Sequence, residues 1–412
     1  MRAVTPATNT AADTEAGPRS VEEHRAAVAA LLPTLPVVDR PLADCVGLVL
    51  GRDLTSPVAL PPFDNSAMDG YAVRAVDVAS ATADAPVTLP VPEDIPAGRT
   101  DVVPVRPGTA HRIMTGAPLP PGADSIVRVE DTDGGMPTVT VRASVPVGTH
   151  LRRTGEDVAA GAVVLRAGTV LGAAQLGLAA AVGRAELPVH RPARVLILST
   201  GTELVAPGVA LKPGQIYESN SVLLAAAAAE LGAEPTVLRF VPDDVAAFHA
   251  AIGEHRDADV LVTSGGVSAG AYEVVKDALS GQGVEFLRVA MQPGGPQGSG
   301  RFGDLPVVSL PGNPVSTALS FELFLRPALL AAMGHRVVDR PRARATTTEE
   351  LRSPIGKRQY RRGQRNGGNV TPVGGPGSHL LASFAASDCL IVVLEDETVI
   401  PAGAQVEVVL LR

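Results

Sequence analysis

Tryptophan is absent from this 412-residue chain, and aromatic side chains make up only 3% of it. So few rings argue against the stacking platforms on which single-stranded nucleic acids are held. Basic residues form no dense run and the net charge is −8, which disfavours nucleic acid or an anionic membrane as a partner. The two cysteines, Cys45 and Cys389, stand far apart, leaving neither a disulfide framework nor a zinc-ligand pair. No run of about 18 apolar residues occurs, so no membrane span is expected. The opening "MRAVTPATNTAADTEAGPRS" has no apolar signal core, and the expectation is a cytoplasmic protein with a disordered leader over residues 1–19. The Walker A pattern and the Rossmann glycine fingerprint are both missing.

What is present is a hydrophobic share of 45%, enough to fill real cores, in a chain long enough for roughly three domains. "SVEEHRAAVAALL" opens with Ser20 and Glu23 at capping-box spacing, so a helix is expected there. From residue 61, short alternating runs broken by Pro and Gly ("VTLPVPEDIPAG", "HRIMTG", "ADSIVRVE", "PTVTVRASV") suit a small β domain. One arrangement makes this module, 61–156, an insertion between 20–60 and 157–190. From Arg194 the rhythm becomes strand, loop, helix, repeated. Continuous β-branched runs alternating with amphipathic helices predict a doubly wound parallel α/β sheet over 191–337. Beyond it, 338–412 returns to β alternation as a further small domain.

In such a sheet ligands bind at the carboxyl ends of the strands. There "RVLILST" leads to Glu203, "PTVLRF" to Asp243 and Asp244, and "DVLVTS" to "GGVSAGAYE" with Glu273. "VEFLRVA" leads to "MQPGGPQGSG", read as a bare glycine loop, and "LPGNPVS" opens the last helix. Turns of this kind present converging N–H groups to an oxyanion, and nearby carboxylates suit Mg²⁺. Taken singly, each is better explained by ordinary helix capping; five on one edge shift the balance towards a phosphate-containing ligand. "GVSAG" also matches a nucleophile elbow at Ser268, which would make a serine hydrolase with His335 or His379; no matching oxyanion segment accompanies it. In "PPFDNSAMDGYAVR", Asp64, Asn65, Ser66 and Asp69 cluster oxygen-bearing groups before Gly70, where an Asx turn is the plain alternative.

Taken in order, "FDNSAMDGYAV", "RIMTGAPLPPGAD", "RRTGEDV", "STGTELV", "SGGVSAG" and "SLPGNPVS" resemble the molybdopterin molybdenumtransferase family, the MoeA-type enzymes and the gephyrin E domain. The resemblance spans nearly the whole chain after residue 20. It implies a homodimer of four-domain subunits: a discontinuous linking domain, an inserted β domain, a molybdopterin-binding-like α/β domain and a C-terminal β barrel. The implied reaction inserts molybdate into adenylylated molybdopterin with Mg²⁺-dependent release of AMP. A contact with the molybdopterin adenylyltransferase is a further expectation.

Carried over by motif, the implied catalytic residues are Asp69, Thr115, Asp157, Glu203 and Asp244, with Glu203, Asp244 and Asp69 holding the metal. The pterin nucleotide is assigned to Ser264, Gly265, Gly266, Ser268, Glu273, Pro311, Gly312, Asn313 and Pro314. Molybdate is assigned to Arg362 and Ser378, with Arg288, Gln292 and Gly295 beside them. The family's usual glycine loop carries lysine where this chain has Gln292 and Gly295. A charge-assisted hydrogen bond to an oxyanion contributes about 1.5–3 kcal/mol, so molybdate capture is expected to be weaker unless Arg301 or Arg361 substitutes. The alternative implied by that loss is a non-catalytic paralogue that binds the pterin nucleotide or serves as a scaffold.

Overall fold

A computed structural model describes residues 17–238, 245–267 and 274–411. The chain divides into two compact units, one formed by residues 39–189 and the other by residues up to 38 together with 190–412.

In the first unit, strands Glu93–Ile95, His111–Ile113, Gly70–Val73 and Ser125–Arg128 form a sheet in that order. The middle strand Gly70–Val73 is buried along its length and shows why. Tyr71 and Val73 face one cluster with Val78, Leu89, Val127 and Val139, while Ala72 faces a second with Ile95, Ile113 and Ile126. Period-two alternation thus feeds two cores from one strand. A third core joins Cys45, Leu48, Leu50 and Leu54 to Leu171, Ala179, Leu187 and Val189, so segments flanking the β module share one apolar interior.

The second unit is built on a six-stranded sheet ordered Glu234–Leu238, Arg194–Ser199, Val260–Ser264, Leu305–Leu310, Pro296–Phe302, Val284–Arg288. The first four strands are parallel. Val195 and Ile197 pack on one face with helices Val21–Leu31, Asn220–Glu230 and Pro314–Ser320, whereas Leu196 and Leu198 pack on the other with Phe248, Ile252 and Leu279. Both faces are covered, as the continuous apolar strands predict.

Two features differ from the sequence reading. Residues 291–300 are not a bare loop. Met291–Gln292 pairs with Arg358–Gln359, and Pro296–Phe302 is a strand antiparallel to both neighbours. Its glycines answer to crowding: a Cβ on Gly300 would lie 2.1 Å from the Gly283 carbonyl oxygen, and one on Gly298 2.8 Å from the Phe286 ring. The helix Val21–Leu31, capped by Ser20 and Glu23 as expected, lies in the α/β core through Val21 and Val28 rather than with the 45–54 segment.

The last segment closes a barrel from Arg358–Asn366, Asn369–Pro372, Arg342–Thr347, Gln405–Leu410 and Cys389–Val393, with the first strand pairing back to the last. Ile391 and Val393 point into its interior. Leu390 and Val392, one residue out of phase, join the α/β core with Tyr360 and Val409.

The run Pro314–Ala332 is the one described helix long and apolar enough to cross a membrane, but 78% of it is buried inside the protein. It includes a π turn, Phe321–Leu325, just before Pro327. Phe324 is fully buried there, edge-on to His24 with ring centroids 4.7 Å apart. Phe324→Ala should cost about 3–5 kcal/mol, read as a lowered transition temperature for this unit by calorimetry.

Candidate functional site

The candidate site begins where two parallel strands end level, Ser264 opposite Leu310. The Gly265 N–H donates to the Leu310 carbonyl at 3.1 Å, which draws the following loops together. Gly265 has φ +94°, a Cβ there would stand 2.9 Å from the Thr200 carbonyl oxygen, and one on Gly312 would stand 3.3 Å from the Gly265 Cα. Only residues without side chains let these backbones pass so closely.

Polar side chains then lock the loops. Asn220, the first residue of its helix, donates from Nδ2 to Ser264 Oγ at 2.8 Å and to the Gly312 carbonyl at 2.7 Å. Thr317 Oγ1 donates to the Pro311 carbonyl at 2.6 Å, fixing the turn that Asn313 and Pro314 carry into the helix. Proline there is suited to a first helical turn, whose N–H groups lack helical partners. The Val315 N–H donates to the Ser378 carbonyl at 3.1 Å, so the barrel's 373–378 loop meets this helix start. Ser264, Gly265, Gly312, Asn313, Pro314 and Ser378 are thereby brought together. Asn220 and Thr317 were not anticipated. Both lie in the first turn of a helix, and only the tertiary arrangement reveals what they hold.

Arg362 is 2% exposed. Its guanidinium donates to the carbonyls of Val373, Gly375 and Gly377, and no carboxylate bridges it among the described residues. Burial, and then the charge of Arg361, push its pKa down. Arg362 therefore shapes the 373–378 loop. Of the two substitute cations considered, Arg301 is committed to the carbonyls of Leu31 and Asp304, both at 2.8 Å. Arg361 lies beside the barrel loop, donating weakly to Gly374 at 3.3 Å, with its buried Nε unpartnered. Gln292 accepts from Gln359 Nε2 at 2.6 Å, which ties the glycine turn to the barrel. The turn is also held by Gln297, fully buried, whose Nε2 donates to the Gly294 carbonyl and Ser320 Oγ. The Gly295 carbonyl accepts from Val289, and Arg288 is exposed at the strand's end.

Glu203 is exposed, its carboxylate folded back over Gly201. Gly266 has φ +68° and follows Gly265 in the turn. Asp244, Ser268 and Glu273 lie outside the described residues. Among the described residues no three His, Cys, Asp or Glu side chains converge as a metal site.

In the other unit, Asp69 and Thr115, 46 residues apart, meet directly. One carboxylate oxygen, Oδ1, accepts from the Thr115 N–H at 2.6 Å and its hydroxyl at 2.7 Å. Asp64 repeats the device on Thr154, with Arg153 adding an ion pair at 2.7 Å. Asp157 follows that turn, exposed, its N–H on the Leu60 carbonyl at 3.0 Å. The Thr115 N–H, and then its hydroxyl, hold the Asp69 carboxyl below its ordinary range.

Glycine-lined loops at the carboxyl edge of a doubly wound sheet, fused to a closed β barrel, define a multidomain α/β protein of the kind that binds ligands at its strand ends. Family models cover most of the chain: the MoeA N-terminal region (domain I and II) at residues 19–183, a probable molybdopterin binding domain at 196–331, and the MoeA C-terminal region (domain IV) at 344–411. "Molybdopterin molybdenumtransferase 2" of Mycobacterium tuberculosis is 53% identical over 400 residues, covering 95% of this chain and 99% of that protein. A "Molybdopterin molybdenumtransferase" of Haemophilus influenzae is 35% identical over 379 residues, covering 89% and 92% respectively. The crystal structure of a "molybdopterin biosynthesis moea protein" from Pyrococcus horikosii superposes with a TM-score of 0.82 at 31% identity, covering 96% of this chain and all of that one. The chain belongs to the molybdopterin molybdenumtransferase family.

Thr115→Val removes the hydroxyl donor and keeps the N–H. The Asp69 carboxyl should then titrate at higher pH, measured by carboxyl-carbon NMR. Because its folded pKa is depressed, the stabilisation it gives is present above the ordinary carboxylate value and is lost as pH falls through the folded one. The variant should lose that stabilisation at a higher pH than the parent.

Proposed function

We propose that this chain inserts molybdate into adenylylated molybdopterin and releases AMP, in molybdenum cofactor biosynthesis. The observation that carries the reading is the junction of Val315 with Ser378, which seats the barrel loop against the start of the helix beside the strand-end site. The nucleotide phosphate is assigned to the backbone donors of Gly266 and Gly312, where glycine permits close approach. Molybdate, a tetrahedral dianion, calls for N–H, hydroxyl and cationic donors; Ser378 and Arg361 supply the last two beside the loop that Arg362 shapes.

Mg²⁺ fits the donor chemistry. Taken separately, Glu203 is an exposed carboxylate, and Asp69 has Oδ1 engaged while no hydrogen bond reaches Oδ2 among the described residues. Glu203 and Asp244 are the proposed ligands, and the bound ion would neutralise charge developing on the phosphate as AMP departs. Without the metal, Asp69 orients Thr115 and the Gly201 turn holds Glu203. A homodimer in the cytoplasm, receiving its substrate from the molybdopterin adenylyltransferase, completes the proposal.

The assay incubates purified protein with adenylylated molybdopterin, Mg²⁺ and molybdate. AMP release and active cofactor are expected, and EDTA should abolish both. A second reading, a non-catalytic binder, draws on Gly295, which offers no cation at the turn; nucleotide binding with no AMP at high molybdate would favour it. At Gly295 a Cβ would meet the Val289 and Met291 carbonyl oxygens at 3.4 and 3.7 Å, ordinary contact distances. Gly295→Lys should tighten molybdate about tenfold to a hundredfold, read as a lower molybdate concentration for half-maximal AMP release. No change would refute the assignment of molybdate to this turn.

A further inference from the structure

The Asn220 carboxamide has one face accounted for and one that is not. Nδ2 bridges Ser264 Oγ and the Gly312 carbonyl, while Oδ1 is buried with no hydrogen-bond partner among the described residues. The side chain belongs to a residue only 8% exposed. Its orientation is fixed by chemistry: the Gly312 carbonyl can only accept, so turning the amide over would set two oxygens face to face. A buried acceptor without a donor is unfavourable, and native sites that retain one commonly meet the donor on a ligand or a water.

We propose that Asn220 is a specificity residue, accepting at Oδ1 an N–H from the amino-bearing heterocycle of the bound ligand. The inference rests on the pterin-nucleotide reading above. A phosphate cannot fill this role, because at neutral pH its oxygens accept, as the Asn220 Oδ1 does. The complementary group is an amino or ring N–H, and the pterin and the adenine both carry one. Asn220 also stands at the start of its helix, at the carboxyl edge where the strand-end loops converge. It touches both loops that would hold the phosphate.

The test pairs ligands with and without the amino group, by calorimetric titration of the full-length protein. One arm compares AMP with purine riboside 5′-monophosphate. The other compares 6-hydroxymethylpterin with the same pteridine lacking its 2-amino group. In one arm the amino-bearing ligand should bind about tenfold more tightly, and that arm identifies the heterocycle. Asn220→Ala should bind both members of that pair alike. Asn220→Asp, which keeps an oxygen but loses the donor to Gly312, should bind both more weakly while retaining the preference. It decides the matter if the alanine variant does not fold. Nucleotide binding by the parent with no preference in either arm, or a preference that survives in Asn220→Ala, would show that the carboxamide only ties the loops. If the parent binds none of the four ligands, the pterin-nucleotide reading fails, and this inference with it.

Discussion

The candidate site depends on two parallel strands ending at the same level and on backbones that then pass in van der Waals contact. Ser264 opposes Leu310, and the chain beyond each must turn without colliding with the other or with Thr200. Glycine at 265 and 312 makes that passage sterically allowed, and the single carboxamide of Asn220 makes it definite. The Pro314 helix start and the Ser378 contact are placed by that arrangement. Rigid sheet ends thus supply the precision that loops alone lack.

The barrel is part of the same construction. Its strand Cys389–Val393 sends alternate residues to two interiors, Ile391 and Val393 inward and Leu390 and Val392 into the α/β core. Pairing of Met291–Gln292 with Arg358–Gln359 adds a backbone seam between the sheet's outer hairpin and the barrel. A buried guanidinium with only carbonyl partners is an expensive way to hold a loop, since it forgoes full hydration. Arg362 accepts that cost and fixes Val373, Gly375 and Gly377 at three points.

Much of this was legible in the residues, and the failures have physical causes. The alternation of β-branched runs and helices from Arg194 onward named the sheet, because burial on both faces leaves an apolar signature. The capping box at Ser20 and Glu23 named a helix, yet an apolar stripe states which face is buried and not what covers it. Glycine was the least readable residue. At 265 it serves a left-handed turn, whereas at 298 and 300 it clears the side chain and backbone of adjacent strands, and composition cannot separate these demands. Asp69 and Thr115 were both chosen from motifs, but their direct contact depends on strands pairing across the intervening chain. Asn220 carried no signal in the sequence because its partners come from loops distant in it.

The placement of helix Val21–Leu31 has a consequence for synthesis on the ribosome. Residues 39–189 contain their own apolar interiors and can condense as they emerge. The earlier helix cannot do the same, because Val21 and Val28 are covered by side chains such as Phe321, Phe324 and Leu329. At roughly 5–20 residues per second, the nascent chain carries that uncovered stripe for about 15 to 60 s before its partners are translated. The short helix, rich in alanine and glutamate, limits how much sticky surface is on offer to chaperones and neighbouring polysomes during that delay.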